Sequence, residues 1–418
     1  MMVQTAEIHT VETKESSYRA VRSHSVALAQ PLSEEDCCVQ SMTDASPVKW
    51  HLAHTTWFFE TFILERYESG FRPFHPAFRV LFNSYYNGVG DKHPRPQRGM
   101  LTRPSFGEVL SYRRNVDERI EELLCRYNDE DLQRLLEIGQ QHEQQHQELL
   151  LTDIKHLLSM NPLFPAYSTS TMEQSGPSGI LAWKVFDGGI VEIGHAGKGF
   201  CFDNETPCHR QFVEPYLLAS RQVNNGEFLA FIEDGGYAKP EHWLSEGWDW
   251  VQSNRLVHPM YWHRDESGWK EFTLYGLQSL DMNRPATHVS FFEADAYARW
   301  CGARLCTEAE WEHAAAAAED FGTHGLHPMT PDVPQAEGLY QLFGANWQWT
   351  LSSYSPYPGY RAADGALGEY NGKFMANQYV LRGSSCATPT GHARPTYRNF
   401  FPATARWQFS GIRLAKSC

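Results

Sequence analysis

The chain has no run of about 18 apolar residues, the length a helix needs to cross a bilayer core, so no transmembrane segment is expected. Its opening stretch, Met1 to Leu28, mixes charged, histidine and polar residues and has no apolar segment of the kind a secretory leader carries. Cys-x-x-Cys pairs are absent, and the cysteines number 9, an odd count. A chain this long can bury a core without cross-links, so these read as reduced thiols in a cytoplasmic protein. Positive charge is in short supply: 36 Lys+Arg stand against 50 Asp+Glu, a net charge of −14. That balance argues against nucleic acid or an anionic membrane as the main partner and favours a small-molecule role. No internal repeat is visible. What is present is ordinary for a folded soluble protein: 418 residues, 42% apolar and 21% charged, enough for two or three domains. The 13% aromatic content, with 13 Trp, argues against extended disorder.

Two textures divide the chain. Residues 15–165 read as helical. Leu132, Leu135, Leu136, Leu149, Leu150, Leu157 and Leu158 recur at steps of three and four, predicting a helix over 131–160 that Asn161-Pro162 stops. Ser46-Pro47 reads as a cap followed by a first-turn proline, opening a second helix through Leu64. Further helices are expected near Ser16 to Leu28 and Ser105 to Tyr127, completing a four-helix bundle. Residues 166–182 look like a linker, rich in Ser, Thr, Gly and Pro. Beyond it, over 183–418, Gly, Pro, Asn and aromatics become frequent and strands short. Helices are expected there at Asn224 to Glu233, Phe292 to Cys301 and Glu308 to Ala318. The second half therefore reads as irregular α+β and not as a parallel sheet.

The long helix carries His142 and His146, four residues apart and so one turn apart on one face. They fall in phase with Leu135, Gly139, Leu149, Asp153 and Leu157, which points both imidazoles into the bundle. Burying polar rings without partners costs roughly 1–3 kcal/mol per unsatisfied group, a cost that a metal ion removes. Glu148 lies about 200° round the helix from His146 and cannot easily share that ion. Asp153 returns to the same face and is a candidate to orient an imidazole N–H. Gln145 borders the site. A third ligand should come from Trp50-His51-Leu52-Ala53-His54, where His54 aligns with Trp50, Trp57 and Phe58 on the inner face and His51 lies nearer the helix start. Three neutral imidazoles suit Zn²⁺ with a water, or Fe²⁺ with open positions, and spacing does not choose between them.

The first half resembles the DinB-like bundle. The second resembles the sulfatase-modifying, formylglycine-generating-enzyme domain, a C-type-lectin-like fold. Its marks run in order: Gly188-Gly189-Ile190-Val191-Glu192-Ile193-Gly194, Asp203-Asn204-Glu205-Thr206-Pro207, Pro285-Ala286-Thr287-His288, Arg304-Leu305-Cys306-Thr307-Glu308, Gly344-Ala345-Asn346-Trp347, Leu381-Arg382-Gly383-Ser384 and Gly411-Ile412-Arg413-Leu414. In one chain, from about Pro31 to Lys416, the pair resembles the sulfoxide synthases of ergothioneine biosynthesis. The resemblance implies a non-haem Fe(2+) enzyme that joins a thiol to C2 of the imidazole of hercynine, with O2 supplying the sulfoxide oxygen. It implies His54, His142 and His146 as iron ligands and Gln145, Asn399, Phe400 and Phe401 as hercynine contacts. Aromatic faces suit the trimethylammonium, which has no N–H to donate. Tyr85 and Tyr86 resemble the active-site tyrosine pair of the subgroup that uses free cysteine. A tyrosine with an ordinary pKa near 10 keeps a proton to give at neutral pH. Arg95 and Arg98 match arginines that hold the thiol substrate's carboxylate, with Arg103 in reserve. Some relatives carry Asp where this chain has Phe401, a departure that points to L-cysteine and away from γ-glutamylcysteine.

Rival readings are formylglycine generation, a zinc-dependent DinB-like thiol transferase, a lectin-like binding module, and the same chemistry with a selenium donor. The first lacks its cysteine pair: Cys386 has no partner before Cys418, and Thr396, Tyr397 and Arg398 stand where a cysteine is wanted. The binding module leaves the inward histidines unexplained.

Overall fold

The computed structural model describes residues 14–127, 129–197, 199–318, 325–330, 338–362 and 366–418. The helical half contains α1 (Lys14–Ala29), α2 (Val48–Phe59), α3 (Glu65–Tyr67), α4 (Phe78–Leu81), α5 (Phe106–Arg126) and α6 (Glu130–Ser159). α1, α2, α5 and α6 form the expected bundle, with α6 packed on both α1 and α2. A π-helical turn, Glu60–Leu64, carries α2 into α3.

Local chemistry sets the helix starts. The Ser105 hydroxyl accepts the Glu108 N–H while the Glu108 carboxylate accepts the Ser105 N–H, a capping box that opens α5. Asp129 accepts the Leu132 N–H at 2.9 Å and opens α6. The start of α2 departs from expectation. Pro47 precedes the first helical residue and no side chain caps it. Ser46 is taken by two charged groups instead: its hydroxyl accepts from Arg98 at 2.9 Å and its N–H donates to Asp153 at 2.8 Å.

α2 and α6 cross closely at Gly139. A Cβ there would lie 2.5 Å from the Phe59 ring and 3.2 Å from Phe58. One turn on, Glu143 is fully buried and accepts from Arg22 at 2.8 Å, from Ser25 at 2.5 Å and from Arg113. Burial pushes this carboxyl up, but the Arg113 and Arg22 guanidiniums overcome that and hold it down to about 2. α1 and α5 are thereby tied to α6 beside the histidines.

The second half holds β1 (Trp183–Phe186), β2 (Gly189–Ile193), β3 (His209–Val213), β4 (Tyr216–Ala219), α7 (Asn225–Glu233), α8 (Ser245–Asn254), β5 (Trp262–Asp265), β6 (Gly268–Thr273), β7 (Gly276–Ser279), α9 (Phe291–Trp300), β8 (Arg304–Leu305), α10 (Glu308–Ala315), β9 (Trp347–Ser353), β10 (Tyr379–Arg382), β11 (Asn399–Phe401), β12 (Ser410–Gly411) and β13 (Leu414–Ser417). The strands form sheets in the orders β1-β4-β13-β8, β11-β10-β9-β12, β2-β3 and β5-β6-β7. All pairings are antiparallel except β9 with β12. The class is α+β, as expected. α8 and the β5-β6-β7 sheet had no counterpart in the sequence reading, and α10 stops at Ala315, short of Ala318.

One cluster of buried apolar side chains extends from Tyr18 in α1 to Leu414 in β13, so the halves share a core. Glu148 of α6 reaches across: its carboxylate accepts Trp347 Nε1 at 2.7 Å, Ser385 Oγ at 2.5 Å and Thr388 Oγ1 at 2.8 Å. The stretch between the halves is anchored by Tyr167, whose hydroxyl donates to Leu28 O at 2.8 Å. Among the described residues no helix is long and apolar enough to cross a membrane.

A Gly139→Ala variant tests the crossing. Alanine is the better helix former by roughly 0.5–1 kcal/mol. The added methyl nevertheless meets a buried ring that cannot retreat, an overpacking cost of about 1–3 kcal/mol. The expected net result is a lower denaturant midpoint together with weaker divalent-metal binding, measured by equilibrium unfolding and by titration.

Candidate metal centre

The α2–α6 crossing brings three imidazoles together. His54 projects from α2 and His142 and His146 from α6, and one nitrogen of each lies within 4.8 Å of the others. Their ring centroids are 4.6 to 5.0 Å apart. His54 Nδ1 lies 2.6 Å from Phe82 O. A carbonyl only accepts, so Nδ1 carries the proton and Nε2 is left with its lone pair. That Nε2 is buried without a hydrogen-bond partner, and so are both nitrogens of His142. His146 Nδ1 lies 2.8 Å from His51 Nδ1.

Burial pushes all three rings below the ordinary histidine range, and their mutual proximity adds to this for His54 and His146. His142 falls to about 3, with burial outweighing the attraction of Glu143. All three are therefore neutral near pH 7, the state in which a histidine donates to a metal. Convergent imidazole lone pairs, buried and unbonded on His54 and His142 and half-buried on His146, fit a divalent cation that takes nitrogen ligands, such as Zn²⁺ or Fe²⁺. Among the described residues this is the group of His, Cys, Asp and Glu side chains placed to share one ion.

His142 and His146 open onto a cavity of about 250 Å³ between the two halves. His54 lies behind them, fully buried and stacked on Trp50 at 4.6 Å. The remaining sequence candidates fall on this cavity, except Tyr86 and the reserve candidate Arg103. Gln145 lines it, donating to Tyr397 Oη at 2.5 Å and accepting from Tyr370 Oη. Asn399, Phe400 and Phe401 of β11 form another wall, where Phe400 stacks on Tyr354 at 4.0 Å. Tyr85 lines the cavity, close to Phe374. Tyr86 stacks behind Tyr85 at 4.6 Å, fully buried against Trp57 and Phe62.

The two arginines differ although both line the cavity. Arg95 is exposed and donates to Asp44 O at 2.5 Å. Arg98 is 4% exposed, lies 3.4 Å over the Trp50 ring, and donates to Ser46 and Ser84 hydroxyls. Among the described residues no carboxylate stands within ion-pair distance of it. Burial, reinforced by Arg95, brings its pKa down to about 9. The charge of Asp153 opposes that fall without overcoming it. Arg103 donates to Thr102 O and lies off the cavity.

Reading the sequence missed Tyr370, Asp44 and Phe374, which sit in irregular stretches with no periodicity to mark them. His51, placed near the helix start, is buried between Asp153 and His146.

Residues 17–157 match the DinB superfamily, and residues 182–327 and 321–418 match the sulfatase-modifying factor enzyme 1-like domain. A hercynine oxygenase of Mycobacterium tuberculosis is 30% identical over 410 residues, covering 91% of this chain and 93% of that protein. The chain belongs to the hercynine oxygenase family. A second member, from Mycolicibacterium thermoresistibile, is 29% identical over 88% of this chain and 87% of its own length. A formylglycine-generating enzyme of Streptomyces coelicolor is 29% identical over 40% of this chain and 68% of its own, a match of domain and not of whole protein.

His142→Leu separates stability from binding. In the metal-free protein leucine replaces a ring whose two nitrogens are buried and unbonded, a change worth roughly 1–3 kcal/mol in favour of folding. The variant should melt higher than the metal-free parent by calorimetry while retaining no divalent ion after dialysis.

Proposed function

We propose that the chain is an iron(II)- and O2-dependent sulfoxide synthase that joins the sulfur of L-cysteine to C2 of hercynine, giving S-(hercyn-2-yl)-L-cysteine S-oxide in ergothioneine biosynthesis. The observation that carries this reading is a group of three converging imidazoles, two of them on the cavity wall, together with a buried guanidinium on the same cavity that no carboxylate contacts as an ion pair. In the overall change the thiol loses its S–H, the imidazole loses its C2–H and the C2–S bond forms. Sulfur gains one oxygen atom of O2. The other leaves as water with the two protons, so four electrons are accounted for. Iron(II) held by His54, His142 and His146 would supply the one-electron chemistry that lets closed-shell substrates react with O2.

The chain's own groups do the rest. Arg98 takes the cysteine carboxylate, with Arg95 at the outer edge. Asp44, which lines the cavity beside Arg95, takes the cysteine ammonium. Phe400, Phe374 and Phe401 offer faces to the trimethylammonium, at roughly 0.5–2 kcal/mol per ring. Gln145 exchanges a tyrosine partner for the hercynine imidazole. Tyr85, which lines the cavity, gives the proton, while Tyr86 backs it.

Anaerobic loading with Fe²⁺ and hercynine, followed by O2 with cysteine, should give the cysteine sulfoxide by mass. A product from γ-glutamylcysteine or a selenium donor alone would move the donor assignment. Turnover of a zinc-loaded enzyme without O2 would replace the reading with a thiol transferase.

Tyr85→Phe should divert oxidation toward cysteine sulfinate, with Tyr86→Phe changing the product ratio less. Arg98→Met should raise the KM for cysteine on the order of a hundredfold, the usual scale for removing a buried charged partner. Its effect on hercynine affinity, measured separately, should be small, and Arg95→Ala should cost less than Arg98→Met.

A further inference from the structure

We infer that Asp153 and His51 fix the tautomer of His146, and through it decide which His146 nitrogen can face a metal ion. The inference follows from counting protons along one chain of contacts. Asp153 Oδ2 accepts the Ser46 N–H at 2.8 Å and lies 3.0 Å from His51 Nε2. A carboxylate oxygen only accepts, so His51 carries its proton on Nε2. In the neutral tautomer of that ring, His51 Nδ1 is bare. It lies 2.8 Å from His146 Nδ1, and a contact that short between two nitrogens needs one hydrogen. The hydrogen therefore belongs to His146 Nδ1, and His146 Nε2 is left bare. The polarity runs in one direction, from His146 through His51 to the carboxylate.

The consequence is specific to this ring. A free neutral imidazole prefers its proton on Nε2, the arrangement that would block ligation through that atom. His54 avoids this through the Phe82 carbonyl at 2.6 Å. His142 has no partner on either nitrogen. His146 depends on His51, which enters from the other helix, and on Asp153, two turns further along its own. The contacts also join α2 to α6 next to the site, so a purely mechanical role is the competing explanation. His51 and Asp153 are positioning residues on this account, acting through His146. The inference rests on the metal-centre reading, but its first test uses the metal-free protein, so the two can fail separately.

Long-range ¹H–¹⁵N spectra of the metal-free, ¹⁵N-histidine-labelled full-length chain report the tautomer directly. The expected result is a protonated Nδ1 and a bare Nε2 for His146; a protonated Nε2 overturns the inference. Two variants supply the second readout, by anaerobic Fe²⁺ titration. His51→Phe removes the acceptor and should weaken Fe²⁺ binding by about 10–100-fold, the usual scale for a lost outer partner of a ligand. His51→Gln keeps the polarity, since its carbonyl can accept from His146 while its amide N–H donates to Asp153, and should restore most of the affinity. Equal affinity of His51→Phe and the parent overturns the inference. So does a His51→Gln variant as weak as His51→Phe at unchanged thermal stability. If His51→Phe fails to fold, the spectrum of the parent and the affinity of His51→Gln still decide.

Discussion

Ligands from two helices can converge only where the helix backbones approach closely, and here a single residue permits the approach. Gly139 leaves no side chain between α6 and the Phe58–Phe59 pair of α2. The same crossing sets His54 against His142 and His146 one and two turns later. The buried Glu143–Arg22–Arg113 cluster then locks the neighbouring helices onto α6 at that level. Such a cluster contributes little net stability over an apolar core. Its geometry is demanding, though, and demanding geometry is what a three-ring site needs from its scaffold.

The second half does more than cover the bundle. Along α6, Gln141 accepts from His392, Gln144 donates to Thr390 O, Gln145 bonds Tyr397 and Tyr370, Glu148 accepts three donors, and Lys155 meets His288 at 2.7 Å. These residues recur at steps of three, four and seven, so they share one stripe, next to the stripe that carries His142 and His146. The rotation of α6 about its own axis is thus specified by the downstream half. A bundle acting alone would leave the Glu148 carboxylate and the Lys155 ammonium without these partners. This is a physical reason to prefer a reaction that uses both halves over one that needs only the bundle.

What could be read beforehand follows from the range of the interaction. The histidine pair was legible because a 3.6-residue period is a local property, and His54 because its helix carries an aromatic inner face. Glu148 could be excluded from the ion by angle, but its partners lie 199 to 240 residues away, and no local pattern encodes them. His51 and His54 share one helix, and spacing alone favoured His54. The importance of His51 arises from Asp153, 102 residues on. Arg95 and Arg98 look equivalent in sequence. The 3₁₀ turn Arg95–Met100 points one outward and folds the other over Trp50. Ser46 looked like a cap because caps and buried hydrogen-bond relays use the same residue types. β5, β6 and β7 lacked the alternation that would have marked them.

Charge accounts for how the cavity favours its proposed substrates. The ligand set is three neutral rings, and Arg98 lies close enough to help hold His54 and His146 neutral. Glu148 is turned toward the second half, and Asp153 is engaged by Ser46 and His51. Asp153 offsets Arg98 only in part, and among the described residues no carboxylate is in ion-pair contact with that guanidinium or belongs to the three-ring group. On the proposed reading, a substrate that brings a thiolate and a carboxylate would supply negative charge to both the metal centre and Arg98. Neutral or cationic thiols would leave one or both positive centres uncompensated at low local dielectric, where that deficit is costly.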